Sequence, residues 1–183
     1  MTTDSPLKSW LLWTVSFVSF PIGGVAAGLI AGPVDSVWPA ALSGVITGAV
    51  IGAGQSLLSR RRLDWRRWIP ASAAGMGVGL TAGAALVGYR TTLADLVVMG
   101  AVTGLALGVA QAAVLRRWIW AAAMPLLWAL GWTVTTVAGV DVGNQFSVFG
   151  STGAITVSAL TGLLLQRVKP VARSAAPASV DSA

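Results

Sequence analysis

Six stretches of this chain run without a formal charge for about the length a helix needs to cross a bilayer, roughly 20 residues. They are residues 10–31, 38–58, 68–88, 96–115, 118–138 and 148–165. Backbone groups in hydrocarbon must bond within their own segment, so such stretches can only be helices; the alternating pattern of a transmembrane barrel is absent. Charge supports the same conclusion. Only 10% of residues are charged, against about a quarter in soluble domains, too few to cover a water-facing surface. The expected fold is an all-α membrane protein with six transmembrane helices, joined by connections short enough to make sequence neighbours antiparallel.

Orientation follows from the basic residues, which favour the cytoplasmic side. Lys8, Arg60, Arg61, Arg62, Arg66, Arg67, Arg116, Arg117, Arg167, Lys169 and Arg173 fall on one side, eleven of the 12 Lys and Arg. Arg90 alone falls on the other, with Asp35, Asp95 and Asp141. This predicts a cytoplasmic N-terminal segment, 1–9, a transmembrane domain, 10–167, and a disordered cytoplasmic tail, 168–183, rich in Ala, Ser and Pro. Trp10, Trp13, Trp65, Trp68, Trp118 and Trp120 lie at the inner boundary, where amphipathic rings are expected to anchor, and Trp38 at the outer one. The first apolar run is longer than an ordinary signal-peptide core, so it reads as a retained helix.

A shift of 56 residues lays the second apolar run on the fourth. Gly44, Thr47, Gly48, Gly52, Gln55, Arg60 and Arg61 fall on Gly100, Thr103, Gly104, Gly108, Gln111, Arg116 and Arg117, seven identities in the 18 positions from 44. In the sixth run only Thr152-Gly153 of the pattern survives, and Leu160 falls where glutamine is expected. The chain therefore reads as three antiparallel hairpin repeats, about 10–58, 68–115 and 118–165, the third degenerate. This pattern, G-x3-G-x2-Q-x4-R-R at its core, resembles repeats of uncharacterised bacterial polytopic membrane proteins, a group with no assigned activity. The resemblance implies a bacterial cytoplasmic membrane and no particular function. In size and topology alone the chain is also similar to integral substrate-binding subunits of vitamin importers, without any of their binding motifs.

Small residues recur every four positions in each run, Gly24, Gly28 and Gly32 in the first, and Gly75, Gly79 and Gly83 in the third. Lipid supplies no hydrophobic drive for helix association, and small residues compensate by letting backbones approach. Gly44, Gly48, Gly52, Gly100, Gly104 and Gly108 are thus the expected packing positions. Gln55 and Gln111 lie two turns from Gly48 and Gly104 on the same faces; they read either as interhelical hydrogen-bonding groups or as amides lining a solute path. Trp128 and Trp132 share a helix face and read as packing, or as the walls of an apolar pocket for a quinone, pigment or lipid tail. Asp35, Asp95 and Asp141 read as helix-capping or topological groups. The arginines at 60–62, 66–67 and 116–117 read as topology signals that meet anionic headgroups at the cytoplasmic face, or as a dock for a cytosolic partner.

The chain contains no Cys, His or Glu, which excludes thiolate chemistry, histidine base catalysis and nearly all transition-metal sites. No ionisable group lies within the six runs, where intramembrane enzymes and pumps usually keep theirs. No phosphate-binding loop is present. The expectation is a non-enzymatic protein without cofactor or metal. It would be a structural or accessory subunit acting through helix packing, as a homo-oligomer or beside a membrane partner. The alternative is a passive small-solute conduit or the substrate-binding membrane subunit of a transporter. Nucleic acid is not expected, because orientation accounts for the positive charge.

Overall fold

The computed structural model describes residues 5–59, 63–141 and 147–167, and all regular structure among them is helical. The helices are α1 (Pro6–Ala31), α2 (Val37–Leu58), α3 (Trp65–Leu86), α4 (Leu93–Leu115), α5 (Trp118–Val137) and α6 (Ser151–Arg167). The first five are long and apolar enough to cross a membrane. α6 has 17 residues.

Local chemistry sets the helix ends. Ser5 Oγ accepts from Lys8 N–H ahead of Pro6, which needs no donor partner in a first turn. Gly32, with φ +79°, stops α1. Thr92 caps α4: its hydroxyl accepts from Asp95 N–H and donates to the Asp95 carboxylate. Arg116 adopts the left-handed conformation, φ 58°, and turns α4 directly into α5. Asp35 does not cap α2 as the sequence suggests. Ser36 holds the N-cap position without a side-chain cap bond, and its hydroxyl donates to Asp35. Inside α1, the Ser16 and Ser19 hydroxyls donate to the carbonyls of Trp13 and Ser16, across a tighter 3₁₀ turn at Ser16–Val18.

The six helices form a closed ring in which each packs on its neighbours in sequence and α6 returns to α1. The closing seam is hydrogen-bonded. Trp10 Nε1 donates to Ala159 O at 2.9 Å, Trp13 Nε1 to Thr161 Oγ1 at 3.0 Å, and Gln166 Nε2 to Pro6 O at 2.6 Å.

The sixth helix differs from expectation at its start. The apolar run suggests a helix from 148, yet α6 begins at Ser151, and Ser147, Val148 and Phe149 are buried in non-helical conformation. Ser147 Oγ lies 2.8 Å from Thr47 Oγ1, halfway along α2. The Phe149 ring fills the notch at Gly131, where a Cβ would meet it at 2.7 Å. These contacts hold the segment inside the ring, buried in protein, a setting in which irregular backbone is tolerated even within a bilayer.

The glycine faces of α2 and α4 meet α3 and α5. A Cβ on Gly44 would lie 2.6 Å from Met76 O, one on Gly48 would strike Ser72 O, and one on Gly52 would lie 3.0 Å from Ser72 Cβ. On α4, a Cβ on Gly100 would lie 2.5 Å from Trp132 Cδ1, one on Gly104 2.5 Å from Met124 O, and one on Gly108 2.7 Å from Met124 Cβ. Gly75, Gly79 and Gly83 of α3 in turn face α4. The α1 series does not behave this way beyond Gly24: Gly28 and Gly32 have nothing within 4 Å of a built Cβ.

Candidate functional site

The polar and aromatic side chains turned into the ring form two layers. At the end where the described basic residues collect, Trp13, Trp68 and Trp120 meet edge to face, with centroids 6.4, 6.3 and 6.2 Å apart. All three are buried. This corrects the expectation that they anchor at the bilayer surface; of that set, Trp65 and Trp118 are exposed. The spacing contains the reason. Trp120 stands four and eight residues before Met124 and Trp128, on the inward face of α5, and Trp68 stands in the same relation to Ser72 and Met76 on α3.

Each ring of this layer has an acceptor for its N–H. Trp68 Nε1 donates to Gln55 Oε1 at 3.0 Å, Trp120 Nε1 to Gln111 Oε1 at 2.9 Å, and Trp13 Nε1 to Thr161 Oγ1. Gln111 Nε2 donates onward to Ser72 Oγ at 2.9 Å. Both glutamines are buried and both amides are engaged between helices. A buried indole N–H without an acceptor would give up its hydration with nothing in return, so each bond offsets the cost of burying the ring's polar edge. In the sixth helix the accepting position is Thr161, one residue beyond the one that alignment of Thr152-Gly153 assigns, and Leu160 is partly exposed.

The second layer holds Trp128 and Trp132. The space between them is not a pocket: Phe149 occupies it, with centroids 4.9 Å from Trp128 and 5.9 Å from Trp132. Phe20 of α1 stacks on Phe149 at 5.4 Å. Trp128 Nε1 is buried without a hydrogen-bond partner. Phe20, Ser72, Ser147, Phe149 and Thr161 carry this interior yet stand out in the sequence by no charge or motif.

Arg66 lies over the Trp65 ring at 5.4 Å, and Arg67 Nε is 3.6 Å from Asp64 Oδ2, both exposed. Such a pair contributes little to stability. Arg116 and Arg117 form the corner between α4 and α5. Arg60, Arg61 and Arg62, and the tail from 168, lie outside the described residues. At the opposite end Arg90 pairs with Asp95 through two hydrogen bonds of 3.2 and 3.0 Å, which hold its guanidinium further above its ordinary pKa. Among the described residues no three His, Cys, Asp or Glu side chains gather as metal ligands do.

Replacing Gln55 and Gln111 together by leucine is expected to leave a folded protein that melts earlier, by about 1 kcal/mol per lost bond. Thermal unfolding in detergent, followed by tryptophan emission, checks this. An unchanged midpoint would show that the indoles find other acceptors.

Comparison of the chain with protein families, with curated proteins and with solved structures finds no match.

Proposed function

We propose that this is a non-enzymatic multi-pass protein of a bacterial cytoplasmic membrane, a structural or accessory subunit that acts through a rigid helical ring and the partner it holds. The observation that carries this reading is the filled interior. Trp13, Trp68 and Trp120 occupy the axis at the basic end, and Phe20, Trp128, Trp132 and Phe149 occupy it further along. The amides that were candidates for a solute path are bonded to indoles instead.

In this reading the chain spans the membrane six times, as three hairpins of common descent, with α6 completing its crossing through the buried non-helical residues before it. The matched bonds Gln55–Trp68 and Gln111–Trp120 support the relation between the first two hairpins. Thr161–Trp13 is its counterpart at the seam. Both termini lie in the cytoplasm, and the arginines at the basic end meet anionic headgroups there.

Two measurements test it. The native chain has no cysteine, so Ser5→Cys and Ser179→Cys are clean topological probes, the second in the tail outside the described residues. Neither is expected to react with an impermeant maleimide in intact cells, and both are expected to react after lysis. Labelling of either in intact cells would overturn the orientation. In vesicles loaded with small solutes, the wild-type protein is expected to raise efflux no more than an unrelated membrane protein does. Saturable, solute-selective efflux would establish the conduit in place of the scaffold.

A further inference from the structure

We infer that the outward groove between the basic ends of α2 and α3 is a binding site for one anionic phospholipid. This rests on the membrane reading above and names a site within it. The groove has a volume of about 900 Å3 and is lined by Ala53, Ser56 and Leu57 of α2, and by Leu63, Trp65 and Ile69 at the start of α3, with Asp64 at its edge. That volume falls within the range of ordinary ligand sites, roughly 300–1,000 Å3. Ala53 and Leu57 face away from the ring, so the groove opens where lipid would lie. Its walls suit an acyl chain, being apolar except at the mouth and floor.

The mouth supplies the headgroup preference. Arg66 is held over the Trp65 ring at 5.4 Å, beside the groove. Arg67 follows it, and both guanidiniums are exposed against a single carboxylate. That carboxylate is already engaged: Asp64 accepts from Arg66 N–H at 3.1 Å and faces Arg67 at 3.6 Å. A phosphate arriving there meets two cations and one partly neutralised acid, with Trp65 offering the amphipathic ring that favours headgroup depth.

The test uses full-length protein in vesicles of phosphatidylglycerol and phosphatidylcholine, extracted in mild detergent and weighed with its retained lipids by native mass spectrometry. One phosphatidylglycerol is expected to be retained in preference to phosphatidylcholine. Ala53→Phe fills the groove from an exposed position and is expected to lower that retention about tenfold, the loss of about two methylenes' worth of apolar contact, with the melting midpoint unchanged. Should that variant melt early, Leu57→Trp blocks the same groove from a side chain that is 79% exposed. Arg66→Gln is expected to reduce the preference for phosphatidylglycerol about fivefold and to leave phosphatidylcholine retention as it was.

Equal retention of the two lipids by wild type would overturn the site while leaving the membrane reading intact. So would a phosphatidylglycerol preference that survives both groove-filling variants. Loss of a protein dimer in those variants, with no lipid preference in wild type, would assign the groove to a second copy. Failure of wild type to insert into vesicles at all would overturn both readings.

Discussion

A single methyl group at position 48 or 104 is expected to damage this protein more than most larger changes on its surface. In Gly48→Ala the new Cβ would strike Ser72 O and lie 2.7 Å from Met76 Cβ and 2.9 Å from Ala73 Cα. In Gly104→Ala it would lie 2.5 Å from Met124 O and 2.8 Å from Trp128 Cβ. These neighbours are mostly backbone or the first carbon of a side chain, so no rotamer change relieves the contact and the paired helix must move. Overpacking costs about 1–3 kcal/mol, and the upper end or beyond is expected here; leucine at either position should abolish folding. Gly28→Ala is the control. It adds the same methyl where nothing lies within 4 Å, and helix propensity alone makes it neutral or slightly stabilising. Unfolding of the three variants in mixed micelles provides the comparison. Equal stability of all three would remove the argument that close backbone approach holds the ring.

The second large effect is expected at the tryptophan layer. Trp68→Ala removes a fully buried ring from between Trp13 and Trp120 and strips Gln55 Oε1 of its donor. Large-to-small changes of this kind cost about 3–5 kcal/mol, and a buried acceptor left without a donor adds to that. Trp120→Ala should behave alike, through Gln111. Trp65→Ala, three residues from Trp68 and on the exposed side, should be nearly silent. Combining Trp68→Phe with Gln55→Leu separates the two contributions. If the indole–amide bond carries its share, the double variant will be less destabilised than the sum of the singles. Strict additivity would show that the ring matters only by its volume.

The contrast between Trp65 and Trp68 also shows how far the sequence is informative. Apolar length and the distribution of arginine identify the helices, and the spacing of Gly44, Gly48 and Gly52 identifies a contact face. What linear position does not convey is the direction in which a boundary tryptophan points. Trp68 and Trp65 stand at the same end of α3, yet one fills the core and the other is exposed. Hydropathy fails at Val148 and Phe149 for a related reason: burial in protein and burial in lipid demand the same side chains, and only the fold distinguishes them. At Thr161 the obstacle is rotation. One residue turns a helix by about 100°, so an alignment that is correct at Thr152-Gly153 presents Leu160 in place of the side chain that Trp13 reaches. Gln55 and Gln111 are visible in sequence as a pair, but their partners are not, because tryptophan on the following helix has no fixed offset from them.

The seam between α1 and α6 sets an order of events during synthesis. α1 leaves the ribosome before the other five helices, carrying the indole N–H groups of Trp10 and Trp13, whose acceptors are Ala159 and Thr161. Those acceptors belong to α6, made after the five other helices of the ring. Until it arrives, the first helix has its neighbour α2 on one side and an open flank on the other, and the triangle of rings has no fixed third corner. Helices that follow one another can pair as they enter the bilayer, but the ring itself becomes a ring only once α6 has been made. The growing chain therefore passes through a stage with two polar indoles uncovered in the membrane, the stage at which a chaperone or a membrane protease could tell an unfinished molecule from a complete one.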